Sequence, residues 1–203
     1  MANDFEDTIR LAAKRVQAAV DAVLQQYRGG YVADEDDITP LLAGEISGTL
    51  RGQIGGLTWN SAVVRHRKGT AAEEQRVGAD LVIHVKFKTK DREYSKGVLV
   101  QAKKIEPGIA MTERGHKELV DQCQKMLAIT NSSYVFDYQR RAISCGSATR
   151  IAGSSRRVLS DDCTMTSYRF FLELFRCPIG DRRLTSALVR DLPIPLLEIA
   201  AED

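Results

Sequence analysis

Residues 78–104 read GADLVIHVKFKTKDREYSKGVLVQAKK. Apolar and polar side chains alternate at its start, with Leu81, Ile83, Val85 and Phe87 on one face and Asp80, Val82, His84, Lys86 and Lys88 on the other. The charged run TKDREYSK interrupts the alternation and GVLVQAKK resumes it, which predicts a β-hairpin. A period of two puts Gln101 and Lys103 on the same face of the returning strand, about 7 Å apart, while Val98, Val100 and Ala102 face the other way. With the turn centred near Asp91, antiparallel partners carry numbers that sum to about 182. Asp80 then lies level with Gln101 to Lys103, and an Asp, a Gln and a Lys converge at one end of the hairpin.

Such a cluster suits a divalent cation. Mg²⁺ takes oxygen ligands in octahedral geometry, commonly one or two carboxylates completed by water and substrate phosphate. Asp80 supplies a carboxylate, Gln101 a side-chain oxygen and Ala102 a backbone carbonyl. Lys103 sits beside them, where its ammonium orients an attacking water or helps it lose a proton by stabilising the hydroxide, and balances charge on a phosphate. The chemistry implied is phosphodiester hydrolysis, with Mg²⁺ as cofactor and Mn²⁺ as its substitute.

Outward from the hairpin, residues 4–28 predict a packing helix closed by Gly29-Gly30. Thr39 as N-cap and Pro40 at the first helical position predict a second helix over ITPLLAGEISGTLRGQ, after an acidic turn at 34–37. That helix carries Gly44, Gly48 and Gly52 at spacings of four, which predicts a close approach on their side. Glu45 lies between this stripe and the apolar one. TWNSAVVRHR predicts a strand ending in a basic run. Beyond the hairpin come a helix near 114–128, strands over SSYVFDY and ISCGSA, helices at 167–176 and near 182–190, and a terminal strand in IPLLEI. The order describes one α/β domain with a mixed sheet: the N-terminal helix, a core at about 40–140, and C-terminal helices and strand at 160–200.

Of 203 residues, 43% are hydrophobic and 28% charged, the composition of a globule rather than a disordered, collagenous or coiled-coil chain. The longest apolar runs fall short of a membrane span, and the acidic, polar opening MANDFEDTIR is unlike a secretory peptide, so a cytoplasmic protein is expected. The four cysteines form no C-x-x-C pair, which predicts buried thiols rather than a zinc cage or a disulfide framework. The formal charge is only +2, but it divides as −4 over residues 1–60, +5 over 61–120 and +1 over 121–203. The positive excess coincides with the hairpin. Arg65, Arg67 and Lys68, with Lys86, Lys88, Lys90, Arg92 and Lys96, are the side chains expected to follow a nucleic-acid backbone. The pairs Arg140-Arg141, Arg156-Arg157 and Arg182-Arg183 read as loop charges that contact phosphate only if they lie on the site's side.

Gly78-Ala79-Asp80 followed by Gln101-Ala102-Lys103 resembles the core of the PD-(D/E)XK nuclease superfamily, in the branch where glutamine replaces the second acid, as in Mrr-like restriction and phage-defence nucleases. The resemblance covers roughly residues 40–140, and Ala79 stands where the family's proline would be. It implies a restriction-endonuclease-like three-layer fold, a central mixed sheet flanked by helices. The implied activity is Mg²⁺-dependent cleavage of DNA, double-stranded for preference, in a restriction or anti-phage system. It implies a metal-directed glutamate on an upstream helix, for which Glu45 fits and Glu74 is the rival, and a polar residue such as Gln122 on the following helix. A chain of this length leaves little room for a separate reading domain, so a homo-oligomer or a partner protein is expected to exert control. A degenerate nuclease fold acting as a binding or scaffold subunit, and an RNA-cleaving nuclease, are the competing readings.

Overall fold

The computed structural model describes residues 2–64, 76–90 and 92–203. Its centre is the expected hairpin, β3 (Leu81–Lys88) and β4 (Glu93–Lys103). Leu81 stands opposite Val100 and Lys88 opposite Glu93, a register within one residue of the sequence expectation, and it brings Asp80 level with Gln101.

The remaining elements are α1 (Ala2–Arg28), α2 (Glu35–Thr49), β1 (Gly52–Ile54), β2 (Leu57–Val64), α3 (Glu113–Ile129), β5 (Ser133–Tyr138), β6 (Ile143–Ser147), α4 (Ala148–Ala152), a 3₁₀ turn (Leu159–Asp161), β7 (Met165–Thr166), α5 (Ser167–Arg176), α6 (Ser186–Asp191) and β8 (Leu196–Glu202). The described strands form one eight-stranded mixed sheet in the order β1-β2-β8-β3-β4-β5-β6-β7. The last strand of the chain enters its middle, antiparallel to β2 and parallel to β3.

Helices cover both faces. α1, α2 and α5 bury Val16, Val23, Leu42, Ile46, Phe170 and Phe175 against Leu81, Ile83, Phe87, Val98 and Val100. α3, α4 and α6 bury Leu119, Met126, Ile151 and Val189 against Val82, Leu99, Val135 and Leu196. The architecture is therefore three-layered α/β. The face of β3 that alternation marks as polar is buried as far as His84, because a second helical layer covers it.

The second helix differs from expectation at both ends. It begins at Glu35, with Asp34 extended as N-cap, so the acidic run is its first turn. Three carboxylates there complement the positive end of the helix dipole. Thr39 lies inside the helix and shares a hydrogen bond of 3.1 Å with the Tyr138 hydroxyl. Pro40, also inside, has no N–H to return to the Asp36 carbonyl. The helix stops at Thr49 because Gly52 (φ 79°) turns the chain into β1, and Gly55-Gly56, both at positive φ, close a hairpin onto β2. Among the described residues nothing makes the expected close approach at the glycine stripe: Gly44 and Gly48 are exposed, and a Cβ on either would meet none of their atoms within 4 Å.

Cys123, Cys145 and Cys163 are buried free thiols, whereas Cys177 is exposed. Among the described residues no helix is long and apolar enough to cross a membrane.

Candidate active site

Asp80, the residue before β3, is fixed by its neighbour strand. Its N–H donates to the Val100 carbonyl at 2.9 Å. Its Oδ2 accepts from the Ala102 N–H at 2.8 Å and from the Gln101 side-chain amide, Nε2, at 2.6 Å. The same Nε2 donates to the Ala102 carbonyl at 3.0 Å. One amide nitrogen therefore bridges the carboxylate and carbonyl oxygens that the sequence assigns to a cation. Gly78 permits this geometry for two reasons. Its φ is 74°, and a Cβ there would come within 2.5 Å of the Gln122 carbonyl oxygen on α3.

Two residues along β4, the Lys103 ammonium lies 3.4 Å from the Glu35 carboxylate. The other oxygen of Glu35 accepts from the Lys104 N–H at 2.8 Å, which ties the N-terminal turn of α2 to the end of β4. Across the parallel pairing of β4 and β5, Lys103 faces Asp137. Asp137 is fully buried and accepts from Gln139 at 2.7 Å and from the Ile105 N–H at 3.3 Å.

Electrostatics single out both aspartates. Burial raises the Asp80 carboxyl to about 6; the Ala102 N–H and Lys103 oppose the rise, and Glu35 and Asp36 reinforce it. Burial likewise raises Asp137 to about 6, against the hydrogen bonds from Gln139 and Ile105.

The cluster opens into a cavity of about 670 Å³ between α2 and α3, at the end of the sheet where β3 begins and β4 ends. Asp80 and Gln101 form its floor with Gly78 and Ala79; Asp36, Thr39 and Pro40 line one wall, and Glu118, Asp121, Gln122 and Lys125 the other. The oxygens Oε1 of Gln101 and of Gln122 are buried without a hydrogen-bond partner among the described residues.

The structure thus brings together Asp80, Gln101, Ala102, Lys103 and Gln122. Glu45 it places elsewhere. Asp36, Thr39, Pro40 and Ala43 are the α2 residues on the cavity, at positions i, i+3, i+4 and i+7 of one helix face, and Glu45 falls roughly 200° around the helix from Ala43. Two and a half to nearly three turns earlier, Asp36 lines the cavity and Glu35 meets Lys103, so the acidic groups of α2 nearest the cluster are these and not Glu45. Lys86 and Lys88 are exposed, but they lie about 20 Å and about 26 Å along β3 from Asp80, away from the cavity. Lys96 is not a surface cation: it is completely buried, its ammonium has no hydrogen-bond partner among the described residues, and burial lowers its pKa to about 8. Arg65, Arg67, Lys68 and Glu74 lie outside the described residues.

Sequence reasoning missed Glu35, Asp36 and Asp137. Asp137 carried the signal that identified Gln101, a polar residue inside an apolar strand, here between Phe136 and Tyr138.

Among the described residues no three His, Cys, Asp or Glu side chains group as metal ligands. A divalent ion would rest on mixed oxygen donors, and these fit. Turning the Gln101 amide by 180° would put the orphaned Oε1 where Nε2 stands, beside the Asp80 carboxylate and the Ala102 carbonyl. Three oxygens converging without a proton between them repel unless a cation joins them. No protein-family model, no curated protein and no solved structure matches this chain.

Proposed function

We propose that this chain is a divalent-metal-dependent endonuclease that hydrolyses DNA phosphodiester bonds, built on a restriction-endonuclease-like core. The observation that carries the reading is the convergence of Asp80 and Ala102 oxygens on the Gln101 amide, with Lys103 next on the same face of β4. Asp80, Gln101 and Ala102 would hold Mg²⁺ or Mn²⁺, which when bound polarises a phosphoryl oxygen and lowers the pKa of a coordinated water. Asp80 contributes the charge, and Gln101 contributes a neutral donor whose amide turns to expose Oε1. Lys103 keeps an ammonium beside the attacked phosphate, and Glu35 positions it. On the resemblance alone, the setting is a restriction or anti-phage system in which a second copy or a partner governs cleavage.

One observation favours the scaffold alternative: Gln101 Nε2 already bridges Asp80 and Ala102, so the site is internally satisfied without an ion. The deciding experiment incubates purified protein with supercoiled plasmid, linear duplex and structured RNA in Mg²⁺, Mn²⁺ or EDTA. Metal-dependent cleavage of DNA is expected, lost in Asp80→Ala and lowered by about a hundredfold or more in Lys103→Ala. Protein that binds DNA and never cuts supports the scaffold reading, and cleavage confined to RNA moves the substrate. Loss on Glu45→Gln with Glu35→Gln unaffected would return the helix role to Glu45.

A further inference from the structure

The cavity has the wrong sign for a polyanion. Among the described residues Asp36, Asp80, Glu118 and Asp121 line it with a single lysine, Lys125, which is ion-paired to Asp121 at 2.6 Å. The cations that compensate lie outside it. Because β4 and β5 are parallel and Lys103 pairs with Asp137, the segments that follow both strands leave the sheet at the catalytic end. Lys104 follows β4, and Arg140 and Arg141 follow β5.

The last turn of α1 joins them. Arg28 donates to the Arg140 carbonyl at 3.3 Å, and the Tyr27 ring lies 5.9 Å from the Lys104 ammonium and 6.0 Å from the Arg140 guanidinium. On the other side, the segment leading into α3 is tied to the loop after α4: Ala110 bridges Val158, and the Met111 N–H donates to the Arg157 carbonyl at 2.7 Å. That brings the exposed Arg156 and Arg157 to the start of α3, one wall of the cavity.

The acids nearby offset these charges only partly. Glu106 lies 3.4 Å from Arg140, Asp34 lies 3.6 Å from Lys104, and the buried Asp162 is 3.9 Å from Arg156 while shared with Arg150. Arg140 and Arg156 keep 67% and 61% of their side-chain exposure within these pairs, so both remain free to meet solvent anions.

We propose that Arg28, Lys104, Arg140, Arg141, Arg156 and Arg157 form a basic rim that binds the phosphate backbone of double-stranded DNA, in place of the distant lysines of the hairpin. The inference rests on the phosphodiester reading for its choice of partner. Exposed arginines on two loops supply guanidinium groups for phosphate contacts, and the strand nearest Lys103 would pass over the mouth of the acidic cavity.

The test measures anisotropy of a short labelled duplex in EDTA across a salt series, so binding is read without cleavage. The variant combines Arg140→Gln, Arg141→Gln, Arg156→Gln and Arg157→Gln. Neutralising about four phosphate contacts lowers the slope of log affinity against log salt by about 3–4, and affinity near ~0.1 M salt falls at least about tenfold. A melting temperature close to wild type shows that the fold is kept. A variant that retains the wild-type slope, wild-type protein that fails to bind duplex at low salt, or slope lost in Lys86→Gln/Lys88→Gln instead would each overturn the rim. Cleavage by wild type with normal binding by the variant removes the rim alone, whereas rim-dependent binding without cleavage removes the nuclease reading alone.

Discussion

Replacing Asp80 with asparagine should stabilise the protein at neutral and alkaline pH and lose that gain in acid. Burial moves the carboxyl from 3.8 to about 6, so the folded state holds the proton more tightly than the unfolded chain does. The stability contributed by this group is therefore fully present below about pH 4 and is lost as pH rises through about 6. A displacement of about two pH units, at about 1.4 kcal/mol each, sets an upper figure of about 3 kcal/mol above pH 7. Asparagine removes the charge and keeps the hydrogen bonds, because the Ala102 N–H (2.8 Å) and Gln101 Nε2 (2.6 Å) both land on a single oxygen, Oδ2. At about 2–4 °C per kcal/mol for a chain of this size, Asp80→Asn raises Tm by at most about 6–12 °C at pH 8 and by almost nothing at pH 4. Circular dichroism melts of both proteins in EDTA at three pH values measure the difference, from which Asp137, common to both, cancels. Millimolar Mg²⁺ should then narrow the gap by stabilising wild type alone. A variant no more stable than wild type at pH 8, or equally favoured at pH 4 and pH 8, refutes the account of a desolvated carboxylate.

Gly78→Ala combines a left-handed backbone, about 1–2 kcal/mol, with a Cβ 2.5 Å from the Gln122 carbonyl, which must push α3 aside for about 1–3 kcal/mol more. A loss of about 2–5 kcal/mol is expected in urea unfolding, and one below about 1 kcal/mol contradicts the close approach. Lys96→Met removes a fully buried ammonium, without a hydrogen-bond partner among the described residues, whose pKa falls from 10.5 to about 8. Wild-type stability is lost as pH drops through about 8, so the variant gains up to about 3 kcal/mol at pH 7, a gain that shrinks towards pH 10; melts at the two pH values check it.

The hairpin was legible because both of its signals are local. Alternation identifies the strands, a charged break places the turn, and the two together set the register to within one residue. Asp80, Gln101 and Lys103 followed from that register, since a polar side chain in an apolar strand needs a reason to be there. The acidic partners were not legible in the same way. Glu35 reaches the end of β4, and Asp36 the cavity beside Asp80, through packing between residues distant in sequence, nearly seventy positions for Glu35, and Thr39-Pro40 imitates a helix start well enough to disguise the real one at Asp34. The entry of β8 between β2 and β3 leaves no mark in composition or period, because only the finished sheet shows which edge was open. Lys96 was misread for a statistical reason with a physical basis: lysines are seldom buried, and nothing in GVLVQAKK or the turn before it announces the 177–181 segment that covers this one.

The formal charge of +2 is the sum of an arrangement that separates the two signs. Carboxylates gather on the cavity, at the first turn of α2 and on the face of α3, and at its floor burial, reinforced by Glu35 and Asp36, raises the affinity of Asp80 for a proton or a cation. Guanidinium groups gather outside it, where solvent screens them from one another but leaves them free to displace counterions from a phosphate chain. On the proposed reading the two steps are separable. DNA docks on the rim without metal, while entry of a phosphate into the cavity requires divalent charge to offset Asp36, Asp80, Glu118 and Asp121. Duplex affinity measured on the cleavage-deficient Lys103→Ala should therefore rise when Ca²⁺, a non-hydrolytic probe with the same oxygen preference, replaces EDTA. The rise should disappear in Asp80→Ala/Lys103→Ala. An equal rise in both proteins would mean that the ion acts on the DNA or on the rim, and that the cavity takes no part in holding the phosphate.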